Sequence, residues 1–225
     1  MSKVRQLPGG GRAVEVEPAR LPGWFERFVG NHGGAESTSV GPREVRVLAE
    51  DGATARVRVP FEELAPPHGE SSGLDVDGLV AHVSRRRRTG LVLVRHGAHS
   101  VGVAEGERIV SSSTDRHYVQ GRNKAGGWSQ KRYARRRAGQ ARKAVDSAAE
   151  AVAEVLLPER ESLDGVVLGG DRRALSELEE DSRLSRLLSL AEPRVLEVAE
   201  PRLSVLKEAA RRASAVEVEV REPPE

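Results

Sequence analysis

The chain has 225 residues, of which 31% are charged and 3% aromatic. It contains no cysteine, which excludes disulfides and thiolate metal sites, and no apolar run long enough to span a bilayer. The formal net charge of +2 hides a segregation: between Arg116 and Lys143 there are many Arg and Lys and no acid at all. Charge sorted in this way points to a polyanion partner, and the scarcity of rings requires a core of Val, Leu and Ala.

Residues 1–20, rich in Gly, Pro and charge, read as a flexible tail. Residues 21–29 (LPGWFERFV) predict a short helix with Pro22 in its first turn and Trp24, Phe25 and Phe28 on one face. Gly-rich sequence follows to Gly41. Val45 and Val47 then alternate with charges, Asp51-Gly52 supplies a turn, and Ala55, Val57 and Val59 alternate on the return, which is a hairpin pattern. Residues 64–74 (LAPPHGESSGL) read as a linker. The expected domains are therefore a tail at 1–20, a small α+β unit at 21–72, and a larger unit at 73–222.

In the larger unit a short helix at 75–86 ends in the run Arg85 to Arg88. An apolar strand at 91–94 precedes a second hairpin, 100–104 with 108–112, around Glu105-Gly106. Residues 117–120 read as a further strand. A long helix is predicted over 129–157, because Ala134, Ala138, Ala141, Val145, Ala148, Val152 and Val155 recur at spacings of three and four. Pro158 ends it. Strand, helix, strand, helix and strand follow at about 164–168, 172–189, 194–198, 201–213 and 215–220. An antiparallel start followed by alternating units predicts an α/β mixed sheet with helices packed on it.

The chemistry concentrates in residues 121–137. Gly121, Gly126 and Gly127 permit a flexible loop, and Lys124, Lys131, Arg132, Arg135, Arg136 and Arg137 surround it. Ser129 falls where a helix cap is expected, and Gln130 in the first turn, beside backbone N–H groups of partial positive charge. A tip carrying one amide on a basic stem suits insertion into a crowded RNA cavity.

This segment resembles the central, peptide-releasing domain of archaeal and eukaryotic class-one release factors, and more closely the bacterial branch of the Vms-one-like release factors. The Gly-x-x-Gln loop of those relatives is matched by Gly127-Trp128-Ser129-Gln130. The likeness extends to LVLVR at 91–95, DRHY at 115–118, DGVVLGG at 164–170 and RVLE at 194–197, about 130 residues in order. The strict Gly-Gly-Gln of termination factors is absent, because Trp128 and Ser129 intervene, and no codon-reading domain is evident in the first 70 residues.

The resemblance implies a ribonuclease-H-like release-factor fold. It also implies a cytoplasmic peptidyl-tRNA hydrolase that rescues stalled nascent chains on the large ribosomal subunit, within ribosome-associated quality control. Its site would be Gln130 with Gly126, Gly127, Trp128 and Ser129. Lys124, Lys131, Arg132, Arg135, Arg136, Arg137 and Lys143 would hold rRNA or peptidyl-tRNA by their phosphates. No metal or organic cofactor is required, and a monomer without membrane attachment is expected.

Two other readings compete. A non-catalytic ribosome- or RNA-binding factor of the same fold would need the basic helix but not Gln130. A metal-dependent nuclease would need clustered carboxylates, which residues 116–143 lack. Gly169-Gly170-Asp171 fits a tight strand-to-helix turn better than a phosphate loop.

Overall fold

The computed structural model of the chain describes residues 4–95, 97–116 and 128–223, and of residues 128–138 the helical backbone alone. It divides into two compact units, one of Met1–Arg85 with Ser214–Glu225, the other Arg86–Ala213. The boundaries expected at 20/21 and 72/73 are thus replaced by boundaries at 85/86 and 213/214.

The first unit is a seven-stranded sheet built from β1 (Val4–Gln6), β2 (Arg12–Val16), β3 (Ala35–Val40), β4 (Glu44–Ala49), β5 (Thr54–Arg58), β6 (Gly69–Ser72) and β12 (Val216–Arg221). Its order is β1-β2-β12-β5-β4-β3-β6, with every neighbouring pair antiparallel. Strand alternation sends Val14, Val16, Val45, Val47, Ala55, Val57, Val216, Val218 and Val220 to one buried face. Helix α1 (Leu21–Asn31) adds Leu21, Phe25 and Phe28 to the same core, at the spacing of one helix face. Trp24 stacks on Phe28 with ring centroids 5.7 Å apart. Helix α2 (Asp77–Val83) contributes Leu79 and Val83.

Three expectations are corrected here. Residues 4–16 are two strands rather than a tail, because Ala13, Val14 and Val16 are buried against the returning β12. The supposed linker contains β6, which pairs with β3. Thr38, fully buried, donates to the Gly73 carbonyl at 2.7 Å and accepts from the Asp75 N–H at 3.0 Å, fixing that edge with polar groups. The last strand leaves the larger unit altogether: β12 lies between β2 and β5, with Val218 opposite both Val14 and Val57.

The second unit is the mixed sheet that the element order implies. It comprises β7 (Arg88–Arg95), β8 (Ala98–Glu105), β9 (Arg108–Arg116), β10 (Gly165–Gly170) and β11 (Ala191–Leu196), in the order β11-β10-β7-β8-β9. Strands β7, β8 and β9 are antiparallel, while β11, β10 and β7 run parallel. Helices α3 (Trp128–Leu156), α4 (Arg172–Glu179) and α5 (Ser185–Leu188) share one core with Val92, Val94, Val101 and Val103. Helix α6 (Leu203–Ala213) takes the other face. There Gly102 permits the approach, since a Cβ on it would stand 2.9 Å from the Leu206 side chain and 2.8 Å from the Ser111 carbonyl. Among the described residues, no helix is long and apolar enough to cross a membrane.

Candidate functional site

Helix α3 has 29 residues and two dissimilar halves. Its later half is buried at Ala144, Ala148, Ala149, Ala151, Val152 and Leu156. This stripe is rotated from the expected one: Ala141 is exposed and Ala144 takes its place. The small residues of the two stripes interleave on one helix, so spacing alone does not decide between them. Ahead of Ala144, a whole turn carries no buried residue: Gly139, Ala141, Arg142 and Lys143 are exposed and Gln140 is intermediate. Among the side chains described, burial on α3 begins at Ala144. With a rise of about 1.5 Å per residue, Gln130 stands about 21 Å further along the axis.

Helix geometry also sorts the residues around α3. At 3.6 residues per turn, Gln130 and Ala148 are about five turns apart and fall on the same line of the helix. Positions 132, 136 and 143 fall on the opposite line. Of these three positions the side chain of Lys143 is described, and it is exposed.

The described helix runs from Trp128, with Ser129 and Gln130 as its second and third residues. No acid occupies its first turn. Backbone N–H groups of a first helical turn lack intrahelical acceptors and carry partial positive charge. Lys131, Arg132, Arg135, Arg136 and Arg137 follow on the same helix. Lys124, Gly126 and Gly127 lie outside the described residues, as do the side chains of residues 128–138 and the strand expected at 117–120.

Sequence reasoning missed the anchors below the loop. Arg116, the last residue of β9, pairs through Nε with Glu200 at 3.0 Å. Arg95, at the end of β7, donates to the Val198 carbonyl. These bonds hold residues 198–200 beside the ends of the central strand β7 and the edge strand β9. Arg88 does the same at the far end of α3, reaching Glu159 at 2.9 Å and Glu105 at 2.5 Å. Partners so distant along the chain leave no local signal.

Within the run Arg85 to Arg88, three side chains are paired with acids and the fourth is buried. Arg85 pairs with Glu62 at 2.7 Å, Arg86 with Glu105 at 3.4 Å, and Arg87 is buried. Gly169 and Gly170 close β10, and the Asp171 carboxylate caps α4 by accepting from the Arg173 N–H at 3.1 Å. His82 is buried and hydrogen-bonds the Pro60 carbonyl at 2.9 Å, a structural role. His96 and His117 lie outside the described residues.

A mixed sheet carrying a long basic helix, with the Gly-x-x-Gln sequence running into its first turn, defines a protein of the release-factor class. The chain belongs to the acVLRF1 family, Actinobacteria/chloroflexi VLRF1 release factor, whose model matches residues 87–219. It is 29% identical over 143 residues to peptide chain release factor subunit 1 of Aeropyrum pernix, covering 62% of this chain and 38% of that protein. Among solved structures it is similar to the archaeal translation termination factor aRF1, with 19% identity, a TM-score of 0.40, and coverage of 74% of this chain and 48% of that one. Dom34 of S. cerevisiae, a translation termination-like factor involved in RNA quality control, matches at 11% identity with a TM-score of 0.34, covering 92% and 65%. The chain thus spans about half or less of the length of the first relatives it matches.

Proposed function

We propose that the protein hydrolyses the ester of peptidyl-tRNA on the large ribosomal subunit and so frees stalled nascent chains. What supports the reading is the position of Gln130, third in α3 and about 21 Å along the helix axis from Ala144, inside the span matched by the release-factor family. In this reading the exposed length of α3 is a stalk. Its basic ridge of Arg132, Arg136 and Lys143, joined by Lys131, Arg135 and Arg137, holds rRNA or the tRNA acceptor end through phosphates. Lys124, Gly126 and Gly127 belong to the entering loop, with Trp128 and Ser129 at its junction with the helix.

Water adds to the ester carbonyl, the tetrahedral intermediate collapses, and the tRNA 3′-hydroxyl leaves with a proton while the peptide departs as its acid. A neutral amide is a poor general base, so Gln130 acts by positioning water, and its backbone N–H stabilises the developing oxyanion. Ribosomal RNA supplies the rest of the site, and the reaction takes place in the cytoplasm.

The test is release of labelled peptide from peptidyl-tRNA on isolated large subunits, comparing the wild type with Gln130→Ala. A loss of about a hundredfold in release, with subunit binding retained, is the expected result. Subunit binding without release by the wild type would transfer the reading to a non-catalytic ribosome-binding factor.

A further inference from the structure

The first unit leaves one face of its sheet open to solvent, and that face is not neutral in its middle. Strand register sets Arg46 of β4, Arg56 of β5 and Glu219 of β12 in one row, and Thr54 beside Arg221 in the next. Together with Glu44 these residues line an open depression of about 280 Å³.

The charges in this depression are not evenly paired. Arg56 takes both acids, Glu219 at 2.5 Å and Glu44 at 3.2 Å. Arg46 and Arg221 are exposed and make no ion pair among the described residues. Arg46 moreover faces Arg56 directly across the strand pair, and the two acids beside them are both taken by Arg56. Thr54 is opposite Arg221 in register, one row along from Arg46 and Arg56, and lines the same depression.

We propose that Arg46, Arg221 and Thr54 form a binding surface for the sugar–phosphate backbone of RNA. Guanidinium forks match phosphate oxygens in pairs, and a hydroxyl adds a further donor. No aromatic side chain lines the depression, so bases have no stacking platform and contact is independent of sequence. Its open shape fits a polymer lying across the sheet better than a small anion enclosed on all sides. The inference rests on the reading of the chain as a factor acting on ribosomes, and gives the first unit the task of holding RNA while α3 delivers Gln130.

The experiment measures binding of the full chain to a random-sequence RNA duplex by fluorescence anisotropy across a salt series. Arg46→Gln/Arg221→Gln is compared with Arg173→Gln/Arg211→Gln, which removes the same charge from the second unit. The first pair is expected to weaken binding about tenfold and to lower the salt slope by about 2, the control far less. Thr54→Val, which leaves the charge unchanged, is expected to weaken binding by a smaller factor. Equal losses in both pairs, or none in the first, would overturn the proposal. So would loss of poly-glutamate binding with RNA binding intact, which would assign the surface to an acidic protein. Peptide release on large subunits is scored separately, so that failure of the hydrolase reading and failure of this surface are distinguishable.

Discussion

Arg88 and Glu159 are 71 positions apart in sequence and 2.9 Å apart in space. Arg88 opens β7, and Glu159 stands three residues beyond the end of α3. The same guanidinium reaches Glu105 at 2.5 Å and Ser162 at 3.2 Å, and the Arg88 N–H donates to Asp164 at 2.7 Å. One residue thereby fixes the base of the stalk to the sheet.

That bond has a pH signature. The hydrogen bond from Arg88, and then that from Ser162, holds the Glu159 carboxyl below its ordinary value of 4.5. A carboxyl depressed by folding stabilises the fold above its unfolded value and loses that contribution as pH falls through the folded one. Calorimetry is therefore expected to give Glu159→Gln a lower Tm than the wild type at pH 7. The two should converge as pH drops below 4.5.

Gly139 lies within α3, and a Cβ there would meet nothing within 4 Å. Replacement by Ala removes backbone freedom from the unfolded chain without a steric cost. Gly139→Ala is expected to raise stability by about 0.5–1 kcal/mol in denaturant unfolding.

Gly170 has the opposite character. Its φ is +110°, and a Cβ would run into the Val94 carbonyl of the neighbouring strand. Gly170→Ala is expected to cost more than about 2 kcal/mol, from backbone strain and overpacking together. A chemical denaturation midpoint unchanged from the wild type would contradict the turn geometry.

Arg142 and Lys143 are the part of the stalk whose side chains are seen to be exposed. If the stalk lies on RNA phosphates, Arg142→Gln/Lys143→Gln should weaken subunit binding and lower its salt slope by up to about 2. Release at saturating protein should change far less, because neither residue is at the tip. Pelleting with large subunits across a salt series measures the first effect, and peptide release measures the second.

The sequence was most legible where a pattern repeats along one element. The β4–β5 and β8–β9 hairpins and the span of α3 follow from alternation, turn residues and helical spacing. Strands β3 and β6 escaped because AESTSV and GESS are polar and lie at one end of the sheet, where Thr38 rather than an apolar stripe fixes them. The strand at 216–221 was visible as VEVEVR, but not its partners, β2 and β5, which lie far back in the first unit. The buried stripe of α3 was displaced because Ala at several phases satisfies the same spacing, and only the extent of the sheet decides among them. Arg88, Arg116 and Glu200 gave no local sign, since their roles exist only after folding.

The place of β12 within the first sheet also sets an order of assembly. It fills the slot between β2 and β5, so those two strands have no shared neighbour until residues 216–221 have been synthesised. The second unit, contiguous from Arg86 to Ala213, has no such dependence and is free to form first. Early strands therefore wait through the translation of the entire inserted unit with two unsatisfied edges, and contacts spanning so much chain close slowly. A nascent chain halted before residue 216 would carry a finished stalk unit and an incomplete amino-terminal sheet, exposed to aggregation and proteolysis.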